Sequence, residues 1–378
     1  MEEAARQVVE VLGAAPCAVV SAAIRTPDGA WVRGQGAAGR LWAPGPEAAP
    51  PAVEVDTPFD LASVTKPFTA LAALRLARAG VVSLDAPIQR WLPEIAGTPG
   101  GARPLALLLR HRAGLDAHRP LFAPLTRGEP VDPRAALLEA ATAARPGLAG
   151  DLPPEGAPAV YSDLGYLLAG AALAAAAGRP LDALLADEVA APMASAAASA
   201  RGWRARDPAF DAGVAPTEVV PFRGGVVRGA VHDENAWAIA GDAACGHAGL
   251  FGAADDVLAL GVALVEILAG ERATFLEATA LRAAIAPWPG GSHVLGFDTR
   301  SGETPSSGRR FGPHTFGHLG FTGTSLWIDP DAQLVGVLLT NRVHPTRDHV
   351  AIRAARPVVY DAIAEHAAAA IGRAVTLP

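Results

Sequence analysis

Strand-forming segments stand at the two ends of this chain, and long Ala/Leu-rich stretches fill the space between them. Near the start, Cys17 to Ile24 and Ala30 to Gly34 flank the turn Thr26-Pro27-Asp28-Gly29. Near the end, Thr324 to Thr340 reads as a second hairpin, two apolar runs separated by Asp329-Pro330. Helix formers dominate Ala70 to Gly80, Tyr166 to Gly178, Ala253 to Ala269 and Asp348 to Ile371. The order strands, helices, strands predicts an α+β fold: a central antiparallel sheet from both chain ends, flanked by helices, with a mainly helical inserted subdomain. The predicted boundaries are residues 1–60 and 253–378 for the sheet subdomain and 61–252 for the helical one, together one unit with its pocket at the junction. Pro/Gly-rich loops are expected from Leu41 to Val53 and from Ala144 to Pro158.

A chain of 378 residues that is 51% apolar can bury a large core. Its 31 Lys plus Arg stand against 38 Asp plus Glu, and a net charge of −7 offers no footprint for a phosphate backbone, so no nucleic-acid partner is expected. The start, Met1-Glu2-Glu3-Ala4-Ala5-Arg6, is acidic where a secretory signal would be basic. The most apolar stretch, Tyr166 to Gly178, is too short to span a bilayer, and the expectation is a soluble cytoplasmic protein without a membrane partner. Cys17 and Cys245 are too few for a disulfide framework or a thiolate zinc site, and each reads as a small buried hydrophobe.

Composition becomes informative at one residue. Lys66 is the only lysine; every other member of the 31 basic residues is arginine. On a solvated surface the two are nearly equivalent, but only lysine can lose its proton near neutral pH, as a general base must. Lys66 lies three residues after Ser63, in Asp60-Leu61-Ala62-Ser63-Val64-Thr65-Lys66-Pro67, which runs into the helix formers that end at Gly80. Pro67 is tolerated only in a first helical turn, so Ser63 sits at a helix start, and residues three apart share a face. The helix dipole and burial both favour a neutral amine there, able to accept the serine proton, while the Ser63 N–H is free to face an oxyanion. Tyr161, one of only 3 tyrosines, follows a Pro/Gly-rich loop and precedes the helix that opens at Ser162-Asp163. Gly317-His318-Leu319-Gly320-Phe321-Thr322-Gly323 leads into the last hairpin.

With these residues in this order, the chain resembles the serine β-lactamase and penicillin-binding protein superfamily, whose signature is Ser-x-x-Lys, then Tyr-x-Asn or Ser-x-Asn, then Lys-Thr-Gly or His-x-Gly. It is similar in particular to the class C β-lactamase-like esterases and D-amino-acid peptidases. Further stretches fit that family, among them Leu108-Leu109-Arg110-His111-Arg112-Ala113-Gly114 and Gly246-His247-Ala248-Gly249. The resemblance implies the same β-lactamase/transpeptidase-like fold. It implies that Ser63 attacks a carbonyl and forms an acyl-enzyme, with Lys66 and Tyr161 sharing its proton and either one as the base. The N–H groups of Ser63 and Phe321, the latter following Gly320, would form the oxyanion hole. His318 would keep the site electropositive or relay a proton.

Two departures from the family pattern bear on substrate. Asp163 stands where the family has asparagine, placing a carboxylate where an amide would donate, and it would raise the pKa of a nearby Lys66. Leu319 replaces the hydroxyl residue that helps hold the carboxylate of a β-lactam. Both favour an ester, amide or peptide substrate over a β-lactam.

Other patterns carry less. Gly34-Gln35-Gly36-Ala37-Ala38-Gly39 has dinucleotide-fingerprint spacing, but the Pro-rich segment after it cannot supply the helix that holds a pyrophosphate, so it is expected to be a turn. His232, Asp233, Glu234 and His247 lack metal-ligand spacing, and His232 to Asn235 is expected to form a polar loop bordering the pocket, with Asn235 in contact with substrate. The expectation is a serine hydrolase of small-molecule ester, amide or peptide substrates, without metal or cofactor. The alternatives are a β-lactamase with weak β-lactam hydrolysis and a non-catalytic penicillin-binding-like module.

Overall fold

The computed structural model describes residues 1–42 and 50–372. The expected loop from Leu41 to Val53 falls partly outside these residues. Six strands form an antiparallel sheet: β1 (Cys17–Arg25), β2 (Trp31–Gly39), β3 (Asp298–Thr299), β4 (Phe316–Leu319), β5 (Ser325–Asp329) and β6 (Leu334–Thr340), in the spatial order β2-β1-β6-β5-β4-β3. The first strand pairs with the last, Val19 opposite Leu339 and Ala23 opposite Val335, so the two chain ends close one sheet as the sequence order predicts.

β1 and β6 are apolar almost throughout because both of their faces are covered. Along β1, Cys17, Val19 and Ala23 enter one core, while Ala18, Val20, Ala22 and Ile24 enter another on the opposite face, the two-residue period of a strand. The first core is shared with the helices of the chain's middle and with α3 (Ala254–Leu268). The second is closed by α4 (Ile352–Ala370) and the short N-terminal helix Glu2–Arg6.

The glycine-rich segment 34–39 is strand and not a turn. Gly34 pairs with Ala22 and Gly36 with Val20. A Cβ on Gly36 would lie 2.1 Å from the Glu2 backbone nitrogen, so glycine is required where the chain start crosses the sheet.

Two further helices position the site. α1 (Thr65–Arg78) is buried continuously from Thr65 to Leu74, carries Pro67 in its first turn, and is followed by Gly80 at φ 72°. α2 (Asp163–Ala177) starts at the N-cap Ser162, whose Oγ accepts the Gly165 N–H at 3.2 Å, and ends at Gly178 at φ 64°. A small three-stranded ribbon pairs Phe59–Asp60 with Leu250–Gly252, and that strand with Ala198–Ser199. It leads the chain into α1 at Leu61, whose N–H donates to Leu250 O at 2.9 Å. Among the described residues no single helix is long and apolar enough to cross a membrane.

Candidate active site

Ser63 lies in a one-turn 3₁₀ segment, Ala62–Val64, that feeds α1. The residue before it, Ala62, has φ 47°, a left-handed conformation that costs a non-glycine residue free energy. The Ala62 N–H donates to Asp60 Oδ1 at 2.8 Å, and Asp60 Oδ2 accepts the His232 N–H at 2.7 Å. Burial pushes the Asp60 carboxyl above its ordinary range, against the pull of the His232 and Ala62 N–H groups. The strained entry to the nucleophile is thus braced from below by one buried carboxyl group.

Lys66, with 0% of its side chain exposed, sits one turn along. Its Nζ donates to Ser63 Oγ at 2.9 Å, Asp163 Oδ1 at 2.7 Å and His247 O at 3.3 Å. Three acceptors for three N–H bonds is the coordination of an ammonium. Burial pushes the Lys66 pKa down, but Asp163 and then Tyr161 outweigh it and hold it above its ordinary value. The neutral amine that burial and the helix dipole alone would favour is therefore not the resting form. Asp163 decides this, by opening α2 directly opposite Lys66.

Tyr161 turns its hydroxyl towards Lys66 and Ser63, and its ring centroid lies 4.7 Å from Lys66 Nζ. Burial raises its pKa more than Lys66 lowers it, so the phenol is protonated. Three imidazoles surround the ring, with centroids at 4.5 Å (His111), 5.4 Å (His293) and 6.0 Å (His318). His111 is buried, and its Nδ1 accepts the Ser162 N–H at 2.9 Å, tying Tyr161 to the start of α2. Burial, with the neighbouring His293 and Lys66 adding to it, holds His111 well below its ordinary pKa.

His318 sits on β4, and its Nδ1 donates to Leu319 O at 2.8 Å, which leaves Nε2 as its free acceptor. Burial, then Lys66, pushes its pKa down to about 3. A neutral His318 cannot keep the site electropositive, which corrects that half of the expectation; positive charge resides on Lys66.

Asn235 is a second correction. It is 1% exposed and does not line the cavity. Its Oδ1 accepts the Phe122 N–H at 3.1 Å and its Nδ2 donates to Arg119 O at 2.8 Å, so its amide fastens the loop that carries His118 and Phe122 into the cavity wall. The other asparagine does similar work: Asn341 Oδ1 accepts the Cys17 N–H at 3.2 Å and its Nδ2 donates to Leu41 O at 2.7 Å. Cys17 and Cys245 are both buried free thiols.

Behind Lys66, His247 Nε2 pairs with Asp233 Oδ1 at 2.9 Å, and Asp233 also caps the helix Glu234–Ala240 through the Ala236 N–H. Burial opposes charge on His247, but Asp233 outweighs it and raises the pKa well above the ordinary value. Among the described residues no three His, Cys, Asp or Glu side chains converge as metal ligands would.

These groups surround a cavity of about 650 Å³ lined by Ser63, Tyr161, Asp163, His318, Gly320 and Phe321 together with a wider rim. Phe321 stands at the mouth, 49% exposed, with its ring 5.7 Å from His232 and 4.5 Å from the Arg342 guanidinium. Glu218 anchors that rim, bonded to His232 Nε2 at 2.9 Å and to Arg347 Nε at 2.7 Å, while Arg347 also pairs with Glu234. Sequence reasoning placed Ser63, Lys66, Tyr161, Asp163, His318, Gly320 and Phe321 at the cavity and expected His232 to Asn235 to border it, as His232, Asp233 and Glu234 do; it missed His111, His293 and the pairing of His247 with Asp233. The missed residues come from separate segments with no shared spacing.

Residues 5–360 match the family model described as Beta-lactamase. An N-acetylmuramyl-L-alanine amidase of Bacillus subtilis is 30% identical over 322 residues, covering 78% of this chain and 70% of that protein. A putative D-alanyl-D-alanine carboxypeptidase of Escherichia coli K12 is 28% identical over 325 residues, covering 76% and 70%. Among solved structures, EstCE1, a hydrolase with promiscuous acyltransferase activity, superposes with a TM-score of 0.67 at 22% identity over 95% of this chain and 97% of its own.

Proposed function

The chain belongs to the Beta-lactamase family, whose members among its relatives are hydrolases, and from that premise we propose that it cleaves small ester or amide substrates through an acyl-enzyme on Ser63. The observation that carries this reading is the hydrogen bond from Lys66 Nζ to Ser63 Oγ, 2.9 Å long, at the floor of the cavity.

Because all three Lys66 N–H bonds are committed and one of them goes to Ser63 Oγ, the serine proton points away from the lysine and towards Tyr161. As Oγ bonds to the substrate carbonyl carbon, its proton passes to Tyr161 Oη while the phenol gives up its own proton to the leaving oxygen or nitrogen in the same movement, so Tyr161 never holds two protons. The carbonyl oxygen gains the displaced electron pair and is held by the N–H groups of Ser63 and Phe321. The leaving oxygen or nitrogen departs with that proton as its bond to carbon breaks, and the phenol ends the step as it began. Water then attacks the acyl-enzyme, giving a proton to Tyr161 while Tyr161 returns one to Ser63. Lys66 contributes positive charge beside Oγ and Oη throughout, and Asp163 keeps that charge in place.

The substrate reading favours short esters or D-amino-acid amides over β-lactams. Asp163, whose carboxylate is 23% exposed to the cavity, presents an acceptor where a substrate acylamide would need a donor, and Leu319 offers no hydroxyl to a carboxylate. The test is kcat/KM for p-nitrophenyl acetate and butyrate, D-alanine p-nitroanilide and nitrocefin on one preparation. The expected order puts nitrocefin last; a nitrocefin value above the esters would make this a β-lactamase, and no turnover of any would make it a binding module.

A further inference from the structure

The turn 320–324 after β4 is held by two arginines that also line the cavity. Arg356, buried on α4, donates from Nη2 to Gly320 O at 2.9 Å and to Thr324 O at 3.0 Å. Arg342 donates from Nε to Phe321 O at 2.8 Å. The turn packs closely enough to require glycine at 320, where a Cβ would lie 1.9 Å from Thr324 Oγ1 and 2.7 Å from Leu61 O. Thr324 Oγ1 in turn donates to Leu61 O at 3.0 Å, and Thr322 Oγ1 to Asp60 O at 2.7 Å, which fixes the turn to the segment that delivers Ser63.

A trans peptide unit is planar, with its C=O and N–H pointing in opposite directions. Holding Gly320 O on Arg356 therefore turns the Phe321 N–H away from that guanidinium, and Ser63, Gly320 and Phe321 line one cavity. Among the described residues no group accepts from that N–H.

We propose that Arg356 is a positioning residue for catalysis: its guanidinium fixes and polarises the Gly320–Phe321 peptide so that the Phe321 N–H is aimed at the substrate oxyanion before substrate arrives. The inference rests on the reading of Phe321 N–H as an oxyanion donor. A donor aimed in advance needs no reorganisation in the transition state, and a cation bonded to the carbonyl end of a peptide makes its N–H a stronger donor. A single Arg356 nitrogen serves two carbonyls, so the helix holds both ends of the turn with one group. Burial brings the Arg356 pKa down to about 10, which leaves it charged at neutral pH.

The experiment compares wild type, Arg356→Lys and Arg356→Met as full chains. It measures kcat and KM for p-nitrophenyl butyrate, Ki for an arylboronic acid that forms a tetrahedral adduct with serine, and Tm. Removing one oxyanion donor outright costs about 10²–10³-fold in kcat, so misaiming it should cost about 10–10²-fold in Arg356→Met. Arg356→Lys, which keeps charge and at least one bond, should fall between that variant and wild type. KM should stay within about 3-fold while the boronate Ki rises in step with the loss of kcat/KM. A lowered Tm with kcat and boronate Ki of the folded protein within about 2-fold of wild type would reduce Arg356 to a structural strut. A raised KM with unchanged kcat would make it a substrate-binding group, and either result overturns the proposal. Phe321→Pro, which deletes the N–H itself, separates the two claims. If it is silent, the oxyanion reading fails; if it lowers kcat about 10²-fold while both Arg356 variants match wild type, only the role of Arg356 fails.

Discussion

At the floor of the cavity Lys66 has no exposed surface and each of its N–H groups meets an acceptor, whereas at the mouth Phe321 is 49% exposed and its side chain meets only the His232 ring and the Arg342 and Arg347 guanidinium groups. The floor is drawn from α1, α2, the 245–249 segment and β4, elements locked into one core. The mouth is drawn from loops and from arginines that hold carbonyl oxygens. A charge in a dry, fully bonded floor cannot be moved without loss, while a ring on a rim can change with little effect on the fold. Chemistry should therefore fail when the floor is altered, and selectivity or acid stability should change when the mouth is altered.

The largest effect should come from Ser63→Ala. Loss of a serine nucleophile costs on the order of 10⁴–10⁶-fold in kcat, and p-nitrophenyl acetate turnover should fall to background with Tm nearly unchanged. Tyr161→Phe comes next. It removes the proton path but keeps the ring against His111, and single-turnover acylation should slow by about 10²–10⁴-fold. Acylation by Tyr161→Phe within a few-fold of wild type would move the proton to another acceptor.

Asp163→Asn sharpens the floor's electrostatics. Because Asp163 raises the Lys66 pKa above its unfolded value, the ion pair stabilises the fold fully below about pH 10.5, and the contribution is lost as pH rises through the folded-state pKa. The variant should melt lower at pH 7, and its Tm should converge with wild type only in strongly alkaline solution. Its kcat profile should gain a limb closer to neutrality as Lys66 becomes able to lose its proton. Identical profiles would show that Asp163 does not set the charge of Lys66.

At the mouth, burial raises the Glu218 carboxyl, but hydrogen bonds from His232 and Arg347 outweigh it and bring the pKa down to about 2. A depressed carboxylate stabilises above its unfolded pKa near 4.5, and the contribution disappears as pH falls through about 2. Glu218→Gln should cost about 1.5–3 kcal/mol at pH 7, as for hydrogen bonds to charged groups, and only a small fraction of that at pH 2, with kcat for small esters nearly unchanged. Urea unfolding at both pH values checks this. The smallest effect should be Phe321→Ala, a few-fold change in kcat/KM confined to esters with bulky leaving groups.

The floor was far more legible in the sequence than the mouth, for physical reasons. Ser63 and Lys66 declare themselves because a helix brings residues three apart together, and Pro67 and Gly80 mark where that helix begins and ends. Tyr161 is marked by the cap that follows it. The two-sided burial of β1 and β6 is legible in their continuous apolar runs. His111 and His293 meet Tyr161 only through tertiary folding, from segments 182 residues apart by number, and no local pattern announces them. The glycines of segment 34–39 misled because a glycine required by a crossing backbone looks the same in sequence as one required by a turn. Asn235, one of only two asparagines in the sequence, suggests a substrate contact, but a buried amide satisfied by two backbone groups accounts for it. The charge of His318 could not be read without knowing its burial and the nearness of Lys66.

The central claim is that carbonyl chemistry runs through Ser63. The direct measurement mixes the full chain with an excess of p-nitrophenyl butyrate, quenches in acid within the first turnover, and locates the acyl group by peptide mass spectrometry. The account predicts one added butyryl group, on the peptide that carries Ser63, formed at the rate of the p-nitrophenol burst and absent from Ser63→Ala. A burst with the acyl group on another residue, or turnover with no acyl-enzyme in either wild type or Tyr161→Phe, would contradict it.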